Sequence, residues 1–155
     1  MKIFVESTNL APDEFYNEIE LLGQMFNLAA ADFKHIHLVT FGHNFNDSHS
    51  MMDSYNEKCL GYMDSCFELC MESGVIPRNT AKSLEYVDSW EPAEKDSYDY
   101  QAAFQTSENI LTNLVNKIKE IRSIENIPTD IQSLLDEWLR ELTREINYFI
   151  RRRTV

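Results

Sequence analysis

The chain has 155 residues, 43% of them hydrophobic, and a formal net charge of −12. That length makes one domain with a real core, and the carboxylate excess disfavours phosphate backbones while favouring cations as partners. No apolar run reaches the ~20 residues of a membrane span, and MKIFVESTNLAPDEF at the N-terminus has neither the apolar run of a signal peptide nor the arginines of a transit peptide, so a cytoplasmic protein with no membrane partner is expected.

Glycine and proline are scarce, four of each, which favours long helices over a strand-and-turn fold. The first helix opens at Pro12-Asp13-Glu14 and runs to about Thr40, with Phe15, Ile19, Leu22, Phe26, Ala29, Ala30, Phe33 and Ile36 on one stripe and Gly42 as its break. The second opens around Asn46-Asp47-Ser48, all cap-forming types, and continues to Gly74. It carries the chain's three cysteines, Cys59, Cys66 and Cys70, on one face; an odd count at that spacing reads as small buried side chains rather than a disulfide framework. A connector follows, VIPRNTAKSLEYVDSWEP, whose centre from Ala81 to Trp90 is predicted as a short helix. The third long helix is predicted from Lys95 to Ile124, and the fourth after Pro128, where Thr129-Asp130-Ile131-Gln132 has capping-box form. Arg151, Arg152 and Arg153 at its end suit the negative pole of a helix.

Short links join helices one to two and three to four, and a long link joins two to three. The expected fold is therefore all-α, a ferritin-like four-helix bundle with a short helix in the long crossover. A single ferritin-like domain is expected over 1–155, with an N-terminal arm at 1–11 and the connector at 75–94.

Three of the four histidines fall in the span His37 to Asp53. On the second helix, at about 100° per residue, His49, Asp53, Asp64 and Glu68 share one arc beside the apolar face. Carboxylates bordering a core are costly unless paired or bound to metal. One helix cannot bring them together, because His49 and Asp64 lie about 22 Å apart at 1.5 Å per residue. They do have a symmetry: His49 and Glu68 lie equally far from the midpoint between Lys58 and Cys59, and so do Asp53 and Asp64. A second copy packed antiparallel about a two-fold axis there would bring each member beside its counterpart, giving two equivalent sites. Leu60 and Gly61 would lie near the axis, and His37 would fold over the same spot. Imidazole with carboxylate suits iron in particular, and also manganese or zinc. The plainer reading is solvated surface acids. His35 reads as a surface or packing residue and His43 as a loop residue.

At these residues the sequence resembles the Dps family, small twelve-subunit ferritins that oxidise and store iron. The family pattern His-Trp-Asn-Val-x-Gly-x-Asn-Phe-x-x-x-His-x-x-x-Asp/Glu is met by His37, Gly42, Asn44, Phe45, His49 and Asp53, with the spacing of twelve between the histidines kept. The family's further Asp and Glu, fifteen and nineteen residues after the second His, correspond to Asp64 and Glu68. SGVIPRNTAKSLEY and DEWLRELTREINYFI are similar to the family's connector and last helix. The Trp that usually follows the first His is Leu38 here, and a lysine-rich tail is missing.

The resemblance implies a ferroxidase, with His37, His49 and Asp53 of one subunit and Asp64 and Glu68 of its partner as catalytic and metal-binding residues. Iron would be oxidised by peroxide or O2 and stored as ferric mineral in a hollow homo-oligomer, a dodecamer, limiting oxidative damage. Direct DNA binding is doubtful without the basic tail. Asp130 and Asp136 would line an entry pore or simply face solvent. Two other readings stand beside this one. A single-subunit di-iron bundle would need Glu-x-x-His pairs, which the chain lacks. A Dps-like structural or DNA-protecting assembly would carry a weak or vestigial metal site.

Overall fold

The computed structural model describes residues 13–154. Helix α1 (Asp13–Val39) starts on two carboxylates, Asp13 and Glu14, beside the positive pole of the helix. Its stripe of Phe15, Ile19, Leu22, Phe26, Phe33 and Ile36 is buried as the 3.6-residue spacing requires. Burial of each such side chain stabilises the fold by roughly 1.5–3 kcal/mol.

Helix α2 (Phe45–Ser73) lies along α1 and closes on Gly74 at φ 87°, where Val75 N–H donates to the Cys70 carbonyl at 2.8 Å. A left-handed residue at this place satisfies carbonyls that the helix end leaves free. The two helices approach closely at Gly23. A Cβ there would lie 2.5 Å from the Phe67 ring, so the missing side chain is the notch into which Phe67 packs. Cys59, Cys66 and Cys70 are free and buried, as their shared face predicts. Burial pushes all three thiols up, which leaves them protonated and unreactive.

The connector is tied to α1 by polar side chains. Glu20, nearly buried, accepts from the Arg78 guanidinium at 2.7 Å and from the Arg78 N–H at 3.0 Å. Gln24 accepts from the Ser83 hydroxyl at 2.6 Å, and Trp90 Nε1 donates to buried Asp32 at 3.0 Å. A 3-10 turn (Thr80–Lys82) leads into α3 (Ser83–Tyr86). The short helix thus begins one residue before the predicted Ala81 and ends four before Trp90, because Trp90 is held down by Asp32 instead of continuing the helix.

Helix α4 (Tyr100–Arg122) begins five residues later than the predicted Lys95. Its cap is Asp99, whose carboxylate accepts from Ala102 N–H at 2.8 Å. The residues before it run extended beside the end of α1: Phe41 N–H donates to the Tyr98 carbonyl at 3.0 Å and Tyr98 N–H to the Val39 carbonyl at 3.2 Å. Helix α5 (Thr129–Arg144) opens on Pro128, and no capping box forms. Thr129 is already inside the helix, and Gln132 reaches back to the Ile127 carbonyl at 2.8 Å. The last turns, Glu145–Ile150, are wound as a π-helix. The C-terminal arginines do more than face a helix pole. Arg151 pairs with Glu108 at 2.6 Å and Arg153 with Asp47 at 2.7 Å.

The four long helices share one core, in which Phe15, Phe26, Phe33, Met52, Tyr55, Phe104, Leu111, Leu114 and Ile118 are fully enclosed. The protein is all-α, a four-helix bundle with a short helix in the long crossover. Among the described residues the only strand-like pairing is the isolated bridge between Thr40 and Tyr98. The arm expected at 1–11 lies outside the described residues.

Candidate metal centre

The turn between α1 and α2 sets the histidines. Gly42 at φ 88° and Asn44 at φ 59° both take left-handed backbone, which reverses the chain in five residues. The hydroxyls of Thr40 and Ser48, both buried, bond at 2.9 Å across it. None of the predicted cap residues of α2 caps it. Asn46 is exposed, Ser48 serves the turn, and Asp47 accepts from Arg153 at 2.7 and 3.1 Å and from the Tyr100 hydroxyl at 2.8 Å. The Arg153 bonds, helped by Tyr100, outweigh burial and hold the Asp47 carboxyl below its usual range. The start of α2 is thereby pinned to α4 and to the C-terminal end of the chain.

His37 and His49 face each other across this turn. Their rings stack with centroids 3.7 Å apart and planes 22° from parallel. His37 Nδ1 lies 2.7 Å from the His49 carbonyl, and His49 Nδ1 lies 2.8 Å from the His37 carbonyl. A carbonyl can only accept, so both Nδ1 atoms carry hydrogen. In the neutral rings each Nε2 then holds the free lone pair, the form a metal ligand requires. The His37 carbonyl lies in the last turn of α1, where helix carbonyls lack internal partners, so the clasp also satisfies a helix end.

Asp53, one turn further along α2, has Lys34 Nζ at 3.4 Å, an exposed ion pair. Asp64 and Glu68 are exposed and have no ion-pair partner among the described residues. Within one chain these side chains do not converge: among the described residues no group of three or more His, Cys, Asp or Glu could hold a metal ion. The antiparallel counterpart reading requires the middle of α2 to be open, and it is. Leu60 is exposed, and a Cβ on Gly61 would meet nothing within 4 Å. Leu38, Phe41 and Phe45 add exposed apolar surface around the histidine turn.

His35 bonds the Lys95 carbonyl at 2.7 Å, a packing role, and His43 is exposed in the turn. Asp136 pairs with Arg122 at 2.9 Å, and Asp130 faces solvent. Lys34, Asp47 and Arg153 are the site residues that sequence spacing did not reveal. Their roles depend on partners 19 and 106 positions away.

No protein-family model matches the chain, and neither does any curated sequence. Solved structures do. Dps from Mycobacterium smegmatis in its tetragonal form is similar with a TM-score of 0.81 at 21% identity, over 90% of this chain and 85% of that one. The chain has the Dps fold. Antigen TpF1 from Treponema pallidum is similar as well, at a TM-score of 0.78 and 14% identity over 94% of this chain and 96% of that one. So is the DPS protein of Vibrio cholerae O1, described as a member of a broad superfamily of ferritin-like diiron-carboxylate proteins, at a TM-score of 0.78 and 14% identity over 90% and 87%. The Dps neighbours place the bundle among ferritin-like folds. No helix among the described residues is long and apolar enough to cross a membrane.

Proposed function

We propose that the protein is a Dps-like ferroxidase and iron store whose metal sites lie between two antiparallel copies of α2. One subunit lends His37, His49 and Asp53, and its partner lends Asp64 and Glu68. The observation that carries this reading is the two-fold balance of the donors about an open helix centre. His49 and Glu68, and Asp53 and Asp64, lie at equal distances from the midpoint between Lys58 and Cys59, beside exposed Leu60 and Gly61.

Fe²⁺ is the substrate in this reading. The net charge of −12 raises its concentration at the surface. The bonds at Nδ1 leave Nε2 of each clasped histidine as the atom that would bind Fe²⁺. Carboxylates of Asp53, Asp64 and Glu68 supply hard anionic oxygens, which favour the ferric over the ferrous ion. O2 or peroxide accepts the electrons, and the product is stored as mineral inside a homo-oligomeric shell, a dodecamer built from such dimers. This work suits a cytoplasmic protein that limits oxidative damage.

Anaerobic Fe²⁺ titration followed by oxidant tests the site. The Asp64→Asn, Glu68→Gln double variant is expected to lose binding and rapid oxidation while remaining folded. Unchanged binding and oxidation would place the centre elsewhere.

One observation favours a second reading, a structural Dps-like assembly with a vestigial site. Lys34 already sets a cation against Asp53. In that case Lys34→Met leaves Fe²⁺ binding absent, whereas a ferroxidase site shows binding with Lys34 in place. DNA coating is not favoured. Arg151 and Arg153 are spent on Glu108 and Asp47, and a gel shift at physiological salt is expected to show no complex.

A further inference from the structure

Between α2 and α5 lies a groove of about 750 Å³ lined by Tyr62, Trp138, Glu141 and Glu145 among others. Two α2 tyrosines donate across this contact, one to a carboxylate of α5 and one to a carboxylate of the π-helical turns that follow it. Tyr55 donates to Glu145 at 3.0 Å, and Tyr62 donates to Glu141. The two carboxylates differ. Glu145 is also bound by Lys58 Nζ at 2.7 Å, whereas Glu141 has no ion-pair partner among the described residues. The Tyr62 hydroxyl thus meets a carboxylate that no cation contacts, whereas the Tyr55 hydroxyl meets one already held by Lys58.

The Tyr62 ring also sits in an aromatic cluster. Its centroid is 5.2 Å from Trp138 and 5.0 Å from Phe26, and Trp138 is itself buried. Burial first, then the bond to Glu141, pushes the Tyr62 phenol far up, so it stays protonated at neutral pH. An electron can leave such a phenol readily only if its proton leaves with it. A base already in contact makes that a single short movement.

We propose that Trp138, Tyr62 and Glu141 form a one-electron relay that traps oxidising equivalents arriving at the α2–α5 face. A one-electron oxidant of the hydroxyl-radical class takes an electron from the Trp138 indole and is reduced. Trp138 recovers an electron from Tyr62. The phenol O–H bond breaks as that electron leaves, and the proton moves to the Glu141 carboxylate. The products are the reduced oxidant, intact Trp138, a neutral tyrosyl radical at Tyr62 and a protonated Glu141. Phe26 is not oxidised; it holds the Tyr62 ring in place. Tyr55 lacks a free base and stays out of the relay.

Pulse radiolysis of the metal-free protein with azide radical, a one-electron oxidant that becomes azide anion, tests this apart from any metal site. The expected record is decay of a tryptophan radical matched by first-order growth of tyrosyl absorbance, independent of protein concentration. Tyr62→Phe, which keeps the ring in its packing, is expected to lose that growth. Glu141→Gln keeps a hydrogen-bond acceptor but removes the base, and is expected to slow the growth by about a hundredfold, the scale of positioned proton transfer. Glu145→Gln is expected to leave it unchanged. Undiminished growth in Tyr62→Phe, equal rates in wild type and Glu141→Gln, or loss of growth in Glu145→Gln would each overturn the relay.

Discussion

The rings of His37 and His49 stack 3.7 Å apart while each Nδ1–H donates to the other residue's backbone carbonyl. This reciprocal clasp joins the end of α1 to the start of α2 and sets both rings with hydrogen on Nδ1. His49→Ala removes the stacking and the bond from its own Nδ1 to the His37 carbonyl, while the residue-49 carbonyl still accepts from His37. It is expected to destabilise the fold by about 1–2 kcal/mol, since each net hydrogen bond contributes about 0.5–1.5 kcal/mol. Urea unfolding measures this; no shift in the midpoint would show that the clasp contributes nothing to folding.

The notch at Gly23 predicts an overpacking effect. Gly23→Ala drives a methyl group into the Phe67 ring, where the Cβ would lie 2.5 Å away. A loss of about 1–3 kcal/mol is expected. Adding Phe67→Leu should recover part of it, because the smaller side chain leaves room. Thermal or urea melts of the single and double variants provide the cycle, and strict additivity would argue against a shared contact.

Two buried carboxylates on α1 give opposite pH dependences. Burial raises the Glu20 carboxyl, but the Arg78 and Gln24 bonds outweigh it, and the net position is below the usual range. Its stabilisation is present above the unfolded-state value and is lost as pH falls through the folded one. Asp32 lies above its usual range because burial outweighs the bonds from Ala93 and Trp90. Its ionisation therefore opposes folding increasingly as pH rises from the unfolded value through the folded one. Glu20→Gln is expected to flatten the loss of stability below about pH 5, and Asp32→Asn to flatten the opposing contribution above about pH 4. Urea midpoints across pH measure both slopes; an unaltered profile in Glu20→Gln would contradict the Arg78 assignment.

The open centre of α2 predicts an assembly defect. Leu60→Glu would set like charges against each other across the proposed two-fold axis. It is expected to turn oligomer into monomer in native mass measurements and to abolish Fe²⁺ oxidation together with it. A monomeric wild-type protein would remove the shared-site reading at its root.

Much of the fold was legible because apolar periodicity is local. The stripe of α1 and the cysteine face of α2 appear in the structure as read. Boundaries were less legible. The sequence around Lys95 looks helical, yet Tyr98 bonds the end of α1 and Asp99 becomes the cap. Asp47 looks like an α2 cap and is instead claimed by Arg153 from the far end of the chain. The candidate ligands were singled out by symmetric spacing together with the resemblance to Dps sequences, neither of which needs tertiary knowledge. Lys34 at Asp53, the histidine clasp and the Tyr62–Glu141 pair arise only when helices pack, so no spacing rule exposes them.

Co-assembly of two defective chains tests the shared site most directly. One chain carries His37→Ala and His49→Ala, the other Asp64→Asn and Glu68→Gln. Each alone is expected to bind no Fe²⁺ at the centre. Mixed by unfolding and refolding, half the dimers pair unlike chains and hold one intact site, so about a quarter of the wild-type capacity should return. A mixture as inactive as its components, although native mass shows mixed dimers, would contradict the account.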